Sequence, residues 1–181
     1  MLVVLASLAY NTRMKIIALS VLIVTAHSTP VHAQLPHFAR NTADLVVLYK
    51  EERLLQLKRN GHVIRSFHVA LGLEPKGHKR TEGDGRTPEG VYTLDWRNEK
   101  SQFYRSIHVS YPRSQDQETA KRWGSSPGGM IMIHGLPNGR DRNELDHPQS
   151  DWTNGCIAVT NEEMDDIWSL VEDGTTIIIF P

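Results

Sequence analysis

Leu45–Ala70 reads LVVLYKEERLLQLKRNGHVIRSFHVA: three runs of Leu, Val, Ile, Tyr and Phe set among polar residues. Leu45–Lys50, Arg53–Lys58 and Val63–Ala70 have the length and composition of β-strands. Between the last two stands Asn60-Gly61, a pair that accepts positive φ at both turn positions, so a two-residue hairpin is predicted there. A strand followed by a hairpin must bury one face of a sheet, and the rest of the sequence supplies the partners.

Leu71–Arg86, rich in Gly, Lys and charge, reads as a loop, with strands predicted at Gly90–Trp96 and Ser106–Ser110. Ser114 with Gln117 resembles a capping box, which predicts a short helix over Ser114–Trp123 ended by Gly124. Met130–His134 is a short apolar strand, and Gly135–Thr153 a long polar connection of the kind that is functional in compact domains. Thr160 and Glu163 form a second capping box. Met164, Ile167, Trp168 and Val171 share one helical face up to Asp173-Gly174, and Thr175–Phe180 is a β-branched closing strand. The expected fold is mainly β: a compact mixed β sandwich or barrel with two short helices.

The first 33 residues differ. They hold two oily runs, Leu2–Tyr10 and Ile16–Ala26, and no acidic residue. Met14-Lys15, Ile16–Ala26 and Val31-His32-Ala33 fit the basic, apolar and cleavage regions of a signal peptide, with translation starting at Met1 or at Met14. Neither run reaches the roughly 18–20 apolar residues of a membrane span. The expected organisation is a signal peptide over 1–33, a flexible lead-in over 34–42 and one folded domain over 43–181. The alternative is an uncleaved membrane anchor. Removing Arg13 and Lys15 takes the 20 basic residues of the 181-residue chain to 18 against 21 acidic ones, a net charge of −3. That excludes the basic surplus of a nucleic-acid binder. A single cysteine, Cys156, excludes a disulfide framework.

A lone thiol in an exported chain points to intermolecular pairing or to reactivity. Gly155 before Cys156 allows a sharp turn and close approach of a substrate to the sulfur. The N–H groups of Gly155 and Cys156 are the expected oxyanion donors. A cysteine nucleophile needs a basic partner. His134, at a strand end before Gly135, is the candidate, with the Gly135 carbonyl available to fix its tautomer. The competing reading makes Cys156 a buried, inert hydrophobe. Histidines 37, 62, 68, 78, 108 and 147 read as surface or structural.

Ile133-His134-Gly135 followed, after a polar connection, by Thr153-Asn154-Gly155-Cys156-Ile157 resembles the signature of the L,D-transpeptidase (YkuD-type) catalytic domain. Gly85–Tyr92, with its Thr87-Pro88-Glu89-Gly90, and the closing Gly174–Ile179 extend the likeness over Leu45 to Phe180. The resemblance implies Cys156 as nucleophile, His134 as general base and Gly135 as its orienting group, with no metal and no cofactor. It implies attack on the third residue of a peptidoglycan stem, a thioester, and resolution by an amine of a second stem or of a lipoprotein lysine, in the periplasm or cell wall. With water as acceptor the same site becomes a carboxypeptidase or hydrolase. Asn154 stands where the family has histidine and Ala158 where Arg or Asn is frequent, a pattern similar to a YafK-like subgroup that includes proteins proposed to cut murein–lipoprotein bonds. Asn154 can donate to an oxyanion but cannot carry a proton. A non-catalytic wall-binding module is the reading from another class.

Arg86, Tyr111, Trp152 and Thr153 are expected to line a stem-peptide groove, Arg86 through charge and Trp152 as a flat wall. Trp96, Trp123 and Trp168 read as core. Asp141, Glu144, Asp146, His147 and Asp151 read as a solvated lid rather than a metal site, and Lys76–Arg80 as a solvated loop.

Overall fold

A computed structural model describes residues 41–181; the signal peptide and nearly all of the lead-in expected from the sequence lie outside the described residues. The order is β1 (Ala43–Tyr49), β2 (Leu54–Arg59), β3 (His62–His68), β4 (Gly90–Ser101), β5 (Tyr104–Val109), α1 (Ser114–Arg122), β6 (Met132–His134), β7 (Ile157–Ala158), α2 (Asn161–Leu170) and β8 (Val171–Phe180). Asn60 and Gly61 take φ of 50° and 79° at the tip of the β2–β3 hairpin.

All eight strands form one sheet in the order β3-β2-β1-β8-β4-β5-β6-β7, with β1–β8 and β6–β7 parallel and the other pairs antiparallel. Ala70, just past β3, exchanges backbone bonds of 3.0 and 2.8 Å with Ala158 of β7 at the other edge. Strands spaced ~4.8 Å apart would hold those edges more than ~30 Å apart in a flat sheet. The sheet therefore curls until its edges meet, giving the expected mainly β, barrel-like fold. Val46, Leu48, Leu55, Leu57, Leu94, Ile107, Ile133, Ile157 and Ile177 fill its concave side, closed by Met164 and Ile167 of α2.

α2 starts as its capping box requires: Glu163 N–H donates to Thr160 Oγ1 at 3.2 Å, and Thr160 N–H to Glu163 Oε2 at 2.9 Å. It ends at Leu170, earlier than the apolar stripe suggests, because Val171 pairs with Ala43 as the first residue of β8. α1 is capped one residue before the expected Ser114: the Asp116 carboxylate accepts from Arg113 N–H at 2.9 Å. Lys79 is buried, bonded to Asp84 and to the Thr81 carbonyl, so the 76–80 segment is not wholly solvated.

Candidate active site

β6 and β7 run parallel with His134 opposite Ala158 and Ile133 opposite Ile157. Cys156 immediately precedes β7, two residues before Ala158, the partner of His134. Cys156 and His134 both line one cleft of about 480 Å3, walled by Trp96, Phe103, Met130 and Trp152. None of the described residues lining it is charged.

His134 is 3% exposed. Its Nδ1 lies 2.7 Å from the Gly135 carbonyl. A carbonyl only accepts, so Nδ1 carries the hydrogen and Nε2 keeps its lone pair. Burial pushes the imidazole pKa down to about 4, against the smaller upward pull of the Gly135 bond. The Phe103 ring lies 4.5 Å from His134, and Trp152 meets His134 edge-on at 5.7 Å. Gly135 is demanded by space: a Cβ there would stand 2.6 Å from Asn161 Oδ1 and 2.9 Å from Tyr104 Cβ.

Cys156 is half-buried, and its thiol contacts the Met130 carbonyl at 3.6 Å. Burial raises its pKa. Both shifts favour the same resting pair, neutral thiol beside neutral imidazole, and disfavour a thiolate–imidazolium pair. The turn before the sulfur is tight. Gly155 has φ of 120°, and a Cβ would stand 2.5 Å from the Arg86 carbonyl. Gly72, unremarked in the sequence, packs behind it: a Cβ at Gly72 would fall 2.9 Å from Gly155 Cα.

Several expected roles are corrected. Gly155 N–H donates to Thr153 Oγ1 at 3.1 Å and is not free to meet an oxyanion, which leaves Cys156 N–H as the backbone candidate. Thr153 reaches the cleft wall, but its hydroxyl is engaged, donating to the Cys156 carbonyl at 2.8 Å; it holds the turn rather than a ligand. Tyr111 is buried against Tyr92, with its hydroxyl on the Pro127 carbonyl, because its ring fits the core under the 79–92 segment. Arg86 does not line the cleft; its carbonyl backs Gly155 and its guanidinium lies beside Gly77.

Trp152 and the exposed Asn154 do line the cleft. Trp96, expected in the core, is 37% exposed at the cleft rim and stacks on His108, because irregular pairing with β5 between Leu94 and Arg97 breaks the strand's alternation. Trp123 is also exposed. Phe103 and Met130 also wall the cleft; in the sequence Phe103 is a large aromatic at a hairpin tip, where packing gives no reason for one. The acidic residues of the 135–153 connection disperse, Asp151 to Arg53, Glu144 to Arg140 and Asp146 to Ser150.

Residues 43–179 match the YkuD family, the L,D-transpeptidase catalytic domain. The chain belongs to this family. YafK of Escherichia coli (strain K12) is 26% identical over 153 residues, 81% of this chain and 54% of that protein. The helical cell shape determining protein Pgp2 of Campylobacter jejuni superposes with TM-score 0.54 at 26% identity, over 75% of this chain and 46% of its own. An L,D-transpeptidase from Mycobacterium smegmatis shares the fold at TM-score 0.51 and 15% identity, over 76% of this chain and 58% of its own. The L,D-transpeptidase-domain chain thus spans about half the length of YafK and Pgp2.

Proposed function

We propose that this chain is a cysteine acyltransferase acting outside the cytoplasm on peptidoglycan stem peptides through a thioester at Cys156. His134 Nε2 takes the thiol proton as sulfur attacks the acyl carbon, and Cys156 N–H with Asn154 faces the developing oxyanion. Collapse breaks the amide; the departing amine takes its proton from the His134 imidazolium, leaving the thioester. An acceptor amine then attacks, gives its proton to His134 and restores the thiol, forming a 3→3 crosslink or a protein–murein link. Because thiol and imidazole start neutral, proton transfer accompanies attack rather than preceding it. The observation that carries this reading is His134, its tautomer fixed by Gly135, facing the same cleft as the chain's lone cysteine. The family and its cell-shape relative Pgp2 support the substrate class.

A second reading is favoured by the uncharged lining. Among the described lining residues no cation meets the terminal carboxylate of a departing D-Ala. A lysine side chain joining a lipoprotein to murein leaves instead as an alkyl amine past apolar walls, and water then resolves the thioester. Purified muropeptides, with and without a covalently attached lipoprotein peptide, are incubated with the protein and analysed by mass spectrometry. New 3→3 dimers establish the transferase, and free tripeptide or released peptide the hydrolase. Absence of every product with the full chain overturns both.

A further inference from the structure

The turn that presents Cys156 begins at Asp151, and Asp151 is held from 98 residues away. Arg53, in the β1–β2 turn, donates from Nε to both carboxylate oxygens at 3.1 Å and from Nη2 to Oδ2 at 2.7 Å. The same carboxylate accepts from Leu71 N–H at 2.8 Å. Thr153 then continues the register: Thr153 N–H donates to the Leu71 carbonyl, and Leu73 N–H donates to the Thr153 carbonyl, both at 3.0 Å. Ala70 and Ala158 close the far side of the turn. Residues 70–73 are thus laced to the chain on both sides of Cys156, and the Arg53–Asp151 pair fixes where the lacing starts.

Arg53 is itself constrained. It holds φ of 52°, its carbonyl accepts from Val69 N–H at 2.9 Å, and Nη1 donates to the Lys50 carbonyl. Its side chain is 32% exposed and that of Asp151 17%, so the pair is shielded more than a surface ion pair. A multiply bonded, partly buried Arg–carboxylate contact carries orientation as well as energy. Neither residue lines the cleft with Cys156 and His134.

We infer that Arg53 and Asp151 are positioning residues: their ion pair sets the register of the Asp151–Cys156 turn so that the sulfur meets the acyl carbon while Cys156 N–H meets its oxygen. This rests on the acyl-transfer reading of Cys156. A displacement of about 1 Å at such a turn is enough to cost on the order of 100-fold in acyl transfer. Simple alkylation, which needs only an accessible sulfur, tolerates it.

The test compares two reagents on the full chain: a carbapenem, whose ring opening demands oxyanion geometry, and iodoacetamide, which does not. Variants are Asp151→Asn, which keeps an acceptor for Leu71 N–H while removing the charge, Arg53→Ala, and the double variant. The inference predicts acylation of Cys156 slowed by about 10- to 100-fold in each single variant. It further predicts no additional loss in the double variant, iodoacetamide rates within about twofold of the parent, and partial recovery of Arg53→Ala, but not Asp151→Asn, by added guanidinium. Unchanged acylation, equal losses with both reagents, or independent losses that multiply in the double variant would overturn it. A parent protein that alkylates but never acylates would instead refute the acyl-transfer reading.

Discussion

Lowering the pH from 7 to 5 should destabilise this fold, chiefly through the His134 imidazole. His134 is neutral in the fold with its pKa pushed down to about 4, against an ordinary value of 6.5. Between those values the unfolded chain binds a proton that the folded chain does not. The contribution is therefore intact above pH 6.5 and lost as pH falls toward about 4. The slope is about 1.36 kcal/mol per pH unit, so reaching pH 5 removes about 2 kcal/mol. His147, also held down by burial, adds loss in the same direction. Burial pushes the Asp84 carboxyl up, but hydrogen bonds from Arg80, Lys79 and Thr81 outweigh it and hold the group below its ordinary range, so it acts only at lower pH. The comparison that isolates His134 is His134→Asn, whose side-chain amide can still donate to the Gly135 carbonyl. Urea unfolding of both proteins at pH 7 and pH 5 should show the parent losing about 2 kcal/mol more than the variant. Equal losses would mean that His134 is not the buried neutral base described here.

Three further outcomes follow from the same geometry. Gly155→Ala should lower stability by at least about 3 kcal/mol, because the added carbon meets the Arg86 carbonyl at 2.5 Å and strains φ; thermal unfolding reads this. Thr153→Val should cost about 2–3 kcal/mol, since it strands Gly155 N–H and the Cys156 carbonyl, whereas Thr153→Ser should restore most of it. Alkylation of Cys156 by iodoacetamide should keep rising through pH 9, because burial raises the thiol pKa; a plateau reached near neutral pH would contradict the neutral resting pair.

What the sequence revealed was local. The Asn60-Gly61 turn, the Thr160–Glu163 cap and the His134 strand end depend on neighbours a few residues away, and each stands where it was expected. What it hid was set by distant partners. The end of α2 yields to pairing of Val171 with Ala43, a contact no helical stripe encodes. Trp96 turns outward at an irregularity in the β4–β5 pairing rather than by composition. Arg86 and Tyr111 look like groove residues by type, yet fold closure turns one toward Gly77 and seals the other beside Tyr92. Lys50 was legible in principle: it follows Val46 and Leu48 at a spacing of two, which places it on the inner face. There it is 1% exposed, with its ammonium bonded to Glu89 and to the carbonyls of Gly77 and Thr87.

The most direct test is to trap the covalent intermediate. Protein turning over a disaccharide-tetrapeptide is quenched in acid and weighed intact, then mapped by proteolysis. An adduct equal to the donor minus D-Ala, carried by Cys156 alone and lost in His134→Asn, is the predicted result. Turnover with no covalent adduct, an adduct elsewhere, or one that forms as fast without the imidazole would contradict it.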